Sequence, residues 1–159
     1  MSANTSVTFF LPDDVATTAL GALLATLLRA GDTVLLNGGI GAGKTHLARA
    51  FIQAKLGRAE EVPSPTFTLV QTYDADDCEI WHADLYRLSH PDEVLELGLE
   101  AAFETGICFI EWPERLGDLA PKSALKLSLS PKGEGREAVF TGGRLGLLDQ
   151  LQKAGPLNG

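Results

Sequence analysis

Residues 38–45 form a phosphate-binding loop, and this feature limits what the chain can fold into more than any other. Their sequence, GGIGAGKT, fits the pattern G-x-x-x-x-G-K-[ST]. That pattern requires a strand before the loop and a helix after it, and residues 33–36 and 46–52 predict both. Glycines let the backbone wrap an anion with its N–H groups inward, and the helix adds its positive dipole end. A chance glycine-rich turn before a lysine is the alternative, and the flanking elements disfavour it.

The loop assigns chemical roles to its residues. Lys44 is expected to reach the β- and γ-phosphates of a nucleotide, and the Thr45 hydroxyl is expected to bind Mg²⁺. No Asn-Lys-x-Asp or Thr-Lys-x-Asp segment occurs that would read guanine, so GTP is disfavoured. The predicted phosphate-binding residues are Gly38, Gly39, Ile40, Gly41, Ala42, Gly43, Lys44, Thr45 and His46.

The order of apolar segments predicts an α/β fold. Strand–helix alternation with hairpins near both ends indicates a P-loop NTPase-like, mostly parallel sheet flanked by helices, with antiparallel strands at the margins. A length of 159 residues favours a single domain, expected over 1–155, with 156–159 as a frayed tail. Predicted strands cover 7–11, 33–36, 66–73, 78–83, 107–110, 125–129 and 137–141; predicted helices cover 15–29, 46–57, a segment from 91 broken near Gly98, and 145–153.

Composition excludes several classes of protein. The net charge is −8, whereas proteins that grip a nucleic-acid backbone are usually basic, so tight binding of RNA or DNA by this chain alone is not expected. The sequence has no apolar run of about 18 residues that would span a membrane. It has no signal-peptide pattern either, so a cytoplasmic location is expected. Cys78 and Cys108 lack metal-ligand spacing and are expected as reduced thiols.

Two acidic residues follow predicted strands and are candidates for the metal and water side of the site. Glu111 follows the apolar run 107–110, and Asp84 follows 80–83. In parallel sheets, ligands bind outside the carboxyl ends of the strands. We expect Asp84 to contact Mg²⁺ directly or through water, and Glu111 to complete the metal shell or to position the attacking water. The alternative for each is a loop cap or an ion pair.

Thr66 and Trp112 are further candidates with ordinary alternatives. Thr66 lies in a proline-flanked segment that enters a predicted strand, where a threonine can sense a γ-phosphate through Mg²⁺. On position alone, a β-branched strand residue is the favoured interpretation of Thr66. Trp112 follows Glu111 and could stack on a base or a partner, but tryptophan is largely buried in most proteins, which favours a core position.

Four blocks together resemble the bacterial TsaE (YjeE) family. They agree with the family in order and spacing, as does the segment ELGLE at 96–100. The loop GGIGAGKT alone is generic, whereas SPTFT and EWPER are specific. The blocks are GGIGAGKT at 38–45, SPTFTLV at 64–70, HADLYRL at 82–88 and IEWPERL at 110–116.

The resemblance implies a function. It implies a small ATPase needed to make threonylcarbamoyladenosine at adenosine 37 of tRNAs that read codons starting with A. The cofactors would be ATP or ADP and Mg²⁺. Hydrolysis would be weak in isolation and tied to the TsaD–TsaB heterodimer, which performs the transfer and meets the tRNA. The resemblance also implies catalytic roles for Lys44, Thr66, Asp84 and Glu111, with Trp112 beside them at the nucleotide.

One departure and two alternatives remain at this point. The family usually has an acidic residue at the second loop position, where this chain has Gly39, which affects the expected nucleotide affinity more than the function. A small-molecule kinase shares the phosphate loop but needs an acceptor pocket and usually an arginine-bearing lid, and no long arginine-rich insertion occurs. A nucleotide-gated binding module without useful turnover is the other alternative.

Overall fold

The computed structural model describes residues 5–39, 43–57, 62, 69–88 and 92–154. Each element forms where a run of apolar residues has the period of a strand or a helix. In chain order the elements are β1 Val7–Leu11, α1 Asp14–Leu27, β2 Thr33–Asn37, α2 Lys44–Leu56, β3 Val70–Asp74, β4 Glu79–Asp84, α3 Glu93–Leu97, α4 Leu99–Thr105, β5 Ile107–Glu111, a 3₁₀ segment Pro113–Leu119, β6 Leu125–Lys132, β7 Gly135–Gly142 and α5 Leu147–Ala154.

The strands form one sheet in the order β1-β7-β6-β2-β5-β4-β3. The four central strands β6, β2, β5 and β4 are parallel neighbours, while β3 pairs antiparallel at one margin and β7 with β1 pair antiparallel at the other. Every residue of β5 is buried, as expected for a strand covered on both faces, whereas β1 alternates between buried and exposed. The predicted α/β class, with antiparallel strands at its margins, is confirmed.

Helices cover both faces of the sheet. One apolar cluster joins α1, α2 and α5 to one face and includes Phe109, which stacks on Phe51 of α2 at 4.5 Å between ring centroids. A second cluster joins α4 and the 3₁₀ segment to the other face, around Cys108 and Ile110. Side chains alternate along a strand, so Glu111 points to the same face as Phe109. The end of β5 therefore presents its acid toward α2. Among the described helices, none has the length and apolar character needed to cross a membrane.

Local chemistry explains where several elements begin and end. The Asp13 side chain accepts a hydrogen bond from the backbone N–H of Ala16 at 2.9 Å and so caps α1. The predicted end of this helix at residue 29 is wrong, because Leu28 is already extended and closes α1 at Leu27. Gly98, at φ +82°, separates α3 from α4, as the expected break requires.

The strand predicted over 66–73 begins later. In the structure β3 starts at Val70, because Leu69 has φ +67°, a backbone angle that no extended strand contains. Thr66 and Thr68 lie outside the described residues. The predicted antiparallel pairing with β4 is present, with Val70 opposite Ala83 and Tyr73 opposite Ile80.

Candidate nucleotide site

The two candidate acids end neighbouring parallel strands and lie opposite each other. Asp84 is the last residue of β4 and pairs in register with Glu111, the last residue of β5. Glu111 also lies opposite Leu36, near the end of β2, the strand that leads into the phosphate loop. Both acids are buried, at 6% and 3% exposure. Register alone therefore brings two carboxylates to the edge of the sheet where the loop begins.

The Glu111 carboxylate contacts the first turn of α2. Thr45 Oγ1 lies 3.3 Å from Glu111 Oε2 and 3.5 Å from Oε1, so the hydroxyl donates to the carboxylate. The Asp84 carboxylate is turned toward its own loop, where Oδ1 accepts from the backbone N–H of Tyr86 at 3.0 Å. The structure thus brings Thr45 and Glu111 into direct contact, with Asp84 on the adjacent strand.

This set of oxygen atoms fits Mg²⁺. Magnesium takes oxygen ligands and is usually held by one or two carboxylates together with substrate phosphates and water. Thr45, Glu111 and Asp84 supply a hydroxyl and two carboxylates. Within the described ranges, no three His, Cys, Asp or Glu side chains form a metal site by themselves. Thr45, Glu111 and Asp84 would hold such an ion together with phosphate oxygens and water.

The Lys44 side chain is packed against an aromatic pair. Its Nζ lies 4.6 Å from the centroid of the Trp112 ring, a cation–π contact, and Lys44 is only 7% exposed. Trp112 in turn contacts the half-exposed Tyr86, with ring centroids 4.8 Å apart. The Trp112 backbone has φ +60°, which is uncommon for a bulky residue. Trp112 therefore packs on the second core cluster and contacts the candidate site as well.

The remaining predicted residues have different placements. The ring of His46 is bound to α1, with Nε2 3.1 Å from Thr18 Oγ1, so a phosphate contact from His46 would come from its backbone N–H. Among the described residues, none places an atom within 4 Å of the position where a Cβ on Gly39 would lie, the two chain neighbours aside. Gly38 precedes it directly after β2. The predicted site residues that lie outside the described part of the chain are Ile40, Gly41, Ala42 and Thr66.

Arg136 is a site residue that the sequence analysis missed. A Cβ built on Gly43 would lie 3.2 Å from Arg136 Cζ, which places the guanidinium directly against the phosphate loop. Arg136 also donates to Asp14 Oδ1 at 3.2 Å. No sequence signal identifies it, because Arg136 lies in β7, which reaches the loop only through the pairing of β6 with β2.

A cavity opens beside this arginine. It has a volume of about 490 Å³ and is lined by residues 11–14, at the junction of β1 and α1, and by Pro131 and residues 133–136 at the tip of the β6–β7 hairpin. Its size falls in the range of small-molecule sites, about 300–1,000 Å³. Arg136 lines this cavity and also lies against Gly43 of the predicted phosphate loop. The candidate site therefore combines the predicted phosphate loop, an acidic edge and a neighbouring cavity.

Comparison with known proteins assigns the family. A family model described as threonylcarbamoyl adenosine biosynthesis protein TsaE matches residues 11–138. Proteins named tRNA threonylcarbamoyladenosine biosynthesis protein TsaE from Rickettsia felis and from a Nostoc species are 38% and 40% identical to this chain, covering 92% and 89% of it and 87% and 89% of their own lengths. The crystal structure of YdiB from Bacillus subtilis shares the fold, with a TM-score of 0.78, 24% identity and 96% of both chains covered. The resemblance carried by the four sequence blocks is confirmed, and the chain belongs to the TsaE family of tRNA threonylcarbamoyladenosine biosynthesis.

Proposed function

We propose that this chain is a P-loop ATPase that binds and hydrolyses Mg-ATP in association with a TsaD–TsaB complex. It does not itself transfer the threonylcarbamoyl group to adenosine 37 of tRNA. The observation that carries the proposal is the contact of Thr45 Oγ1 with the Glu111 carboxylate at 3.3 Å, with Asp84 in register beside it. This contact connects the proposed phosphate-binding loop with the two acids that hydrolysis would require.

The chemistry follows from these side chains. Lys44 would exchange the Trp112 ring for the β- and γ-phosphates, Thr45 would hold the metal, and Asp84 and Glu111 would complete its shell or orient water. Water attacks the γ-phosphorus, the bond to the bridging oxygen of ADP breaks, and ADP, phosphate and a proton leave. Magnesium, when bound, neutralises charge on the phosphate oxygens. A role for Thr66 at the γ-phosphate stays a prediction.

We place the nucleoside part of the nucleotide in the cavity beside Arg136. Its volume of about 490 Å³ suits a base with its ribose, and Arg136 offers donors next to the loop. Arginine stacks on aromatic rings and donates several hydrogen bonds from a planar group. Arg136→Met should therefore weaken ADP binding while leaving the fold intact, because the ion pair that it loses within the described residues joins it to the exposed Asp14.

The partner assignment rests on the family and on charge. The relatives are named for tRNA threonylcarbamoyladenosine biosynthesis. A net charge of −8 suits a subunit that leaves RNA contacts to its partners, since phosphate neutralisation requires basic residues. We therefore propose that this chain acts on tRNA only indirectly, through the TsaD–TsaB pair, which contacts the tRNA.

The test is phosphate release from Mg-ATP by the purified protein, alone and with the TsaD–TsaB pair of the same organism. The expected result is slow turnover alone, faster turnover with the pair, and none with Lys44→Ala. Lys126→Ala is the matched control, because Lys126 is an exposed lysine on β6 and the same charge is removed there. Turnover that is indifferent to the pair would contradict the proposed pathway role. Consumption that depends on an added small hydroxyl compound would instead support a kinase.

A nucleotide-gated binding module is the second candidate. The observation that favours it is that the site residues contact one another. Lys44 contacts Trp112, and Thr45 contacts Glu111. Nucleotide binding alone could break these contacts and change the surface offered to a partner. Glu111→Gln separates the two functions, because a binding module keeps tRNA modification in the reconstituted system and an ATPase loses it.

A further inference from the structure

His82 is a buried polar residue directly behind the acidic edge of the candidate site. It lies on β4 two residues before Asp84, so both side chains point to the same face, and it is opposite Phe109 in register. The residue is 0% exposed. Its Nε2 lies 2.7 Å from Glu111 Oε2, shorter than the usual N–H···O distance of about 2.9 Å. Such a distance is typical of a hydrogen bond to a charged group.

Two side chains, His82 and Thr45, contact the Glu111 carboxylate. A carboxylate oxygen accepts hydrogen bonds, so His82 Nε2 is the donor. Thr45 Oγ1 approaches from the phosphate loop, 3.3 Å from Oε2 and 3.5 Å from Oε1. The His82 ring makes the shorter contact, at 2.7 Å, and both carboxylate oxygens lie near the Thr45 hydroxyl. Without the ring, the longer contact with Thr45 would be the remaining one of these two.

A purely structural histidine would be bonded differently. Buried histidines in a core normally satisfy both ring nitrogens, because an unpaired buried polar atom destabilises the fold. Here the second nitrogen, His82 Nδ1, has no hydrogen-bond partner in the part of the chain that the structure describes. Ile80, two residues earlier on the same face, shows that an apolar side chain suits this layer. Glu111 is the partner that accounts for a polar ring at this position.

We propose that His82 is a positioning residue that orients the Glu111 carboxylate toward the metal and water side of the site. The role rests on the proposed function, since it is defined by what Glu111 does there. Groups that hydrogen-bond to metal ligands orient them, and their loss lowers metal affinity by about 10–100-fold. Removing the His82 donor should therefore change the dependence on Mg²⁺ and leave the binding of the nucleotide itself nearly unchanged.

The test compares variants that differ in the donor atom. His82→Phe keeps a ring and removes the donor, whereas His82→Gln keeps an amide N–H near the position of Nε2. Glu79→Gln is the matched control, because Glu79 is exposed at the start of the same strand. The measurement is calorimetric ADP binding over a series of Mg²⁺ concentrations and in EDTA, together with the kcat and KM of ATP hydrolysis.

The expected result is a specific pattern. His82→Phe raises the Mg²⁺ concentration for half-maximal effect by about 10–100-fold and leaves metal-free ADP binding unchanged. His82→Gln restores most of the Mg²⁺ response, and in ATP hydrolysis His82→Phe lowers kcat more than it raises KM. An unchanged Mg²⁺ requirement in folded His82→Phe overturns the proposal, and so does equal impairment of the Phe and Gln variants.

Two further comparisons keep the outcomes separate. If His82→Phe does not fold, His82→Gln and His82→Asn replace it, because the shorter amide of Asn does not reach Glu111. Equal Mg²⁺ dependence of those two variants then overturns the role, and a larger requirement in the Asn variant supports it. If the wild-type protein binds no ADP with or without Mg²⁺, the proposed function is wrong and the role falls with it. If the wild type hydrolyses ATP but the His82 variants do not show the expected change in Mg²⁺ dependence, only the positioning role of His82 is wrong.

Discussion

Replacing Gly21 by alanine should destabilise the protein even though alanine is the better helix former. Gly21 lies inside α1, where the Gly→Ala change by itself would favour the helix by about 0.5–1 kcal/mol. A Cβ at this position, however, would lie 2.6 Å from Ala50 Cβ, 2.8 Å from Phe51 N and 2.9 Å from Ala50 C. Two of these atoms belong to the backbone of α2, so relief requires the two helices to separate.

The size of the effect follows from these two opposing terms. Overpacking destabilises by about 1–3 kcal/mol, and subtracting the helix term of about 0.5–1 kcal/mol leaves a net loss of up to about 2.5 kcal/mol. For a chain of this length, each kcal/mol of lost stability lowers Tm by about 2–4 °C, so Tm should fall by up to about 10 °C. Because α2 starts at Lys44, displacement of the helix should also weaken ADP binding. Urea unfolding at equilibrium and calorimetric ADP binding measure the two effects.

A neighbouring residue supplies the control. Ala22 is exposed on the same helix, so Ala22→Gly measures helix propensity alone, with an expected loss of about 1 kcal/mol. If Gly21→Ala instead stabilised the protein by the amount that Ala22→Gly loses, close contact between α1 and α2 would not limit this position. The packing argument would then be refuted.

Three other perturbations test the electrostatics and the candidate site. Burial raises the pKa of Cys108 from 9.0 to about 12, so its contribution to stability is fully present below pH 9.0 and is lost as the pH rises toward 12. Between these values the free energy of unfolding should fall by about 1.4 kcal/mol per pH unit. Cys108→Ala should remove this slope, as measured by urea unfolding at several alkaline pH values. Arg144 donates to both oxygens of buried Asp32 at 3.1 and 3.2 Å, so Arg144→Met should lower the free energy of unfolding by about 2–4 kcal/mol, and a double-mutant cycle with Asp32→Asn should recover part of the loss. ADP should draw Lys44 from the Trp112 ring and change the Trp112 fluorescence, and an unchanged signal at saturating ADP would contradict the exchange.

Elements with strong local signals could be predicted from the sequence. The apolar run of β5 and the alternation in β6 gave their strands, and the loop motif gave the presence of α2, which begins at Lys44, two residues before the predicted start at 46. Boundaries set by single backbone angles could not be predicted. Because Leu69 has a positive φ, β3 begins later than predicted, and because Leu28 is extended, α1 ends earlier than predicted. No pattern of residue types determines either angle.

The sequence by itself determined the fold class and the family, because the loop pattern and the strand-end acids depend on residues close together in the chain. Only the tertiary structure decided which side chains meet. His82 reaches Glu111 through the register of β4 with β5, and Arg136 reaches the loop through β6 and β7. The physical reason is that strand register and helix contact join residues far apart in sequence, and no local spacing encodes those distances.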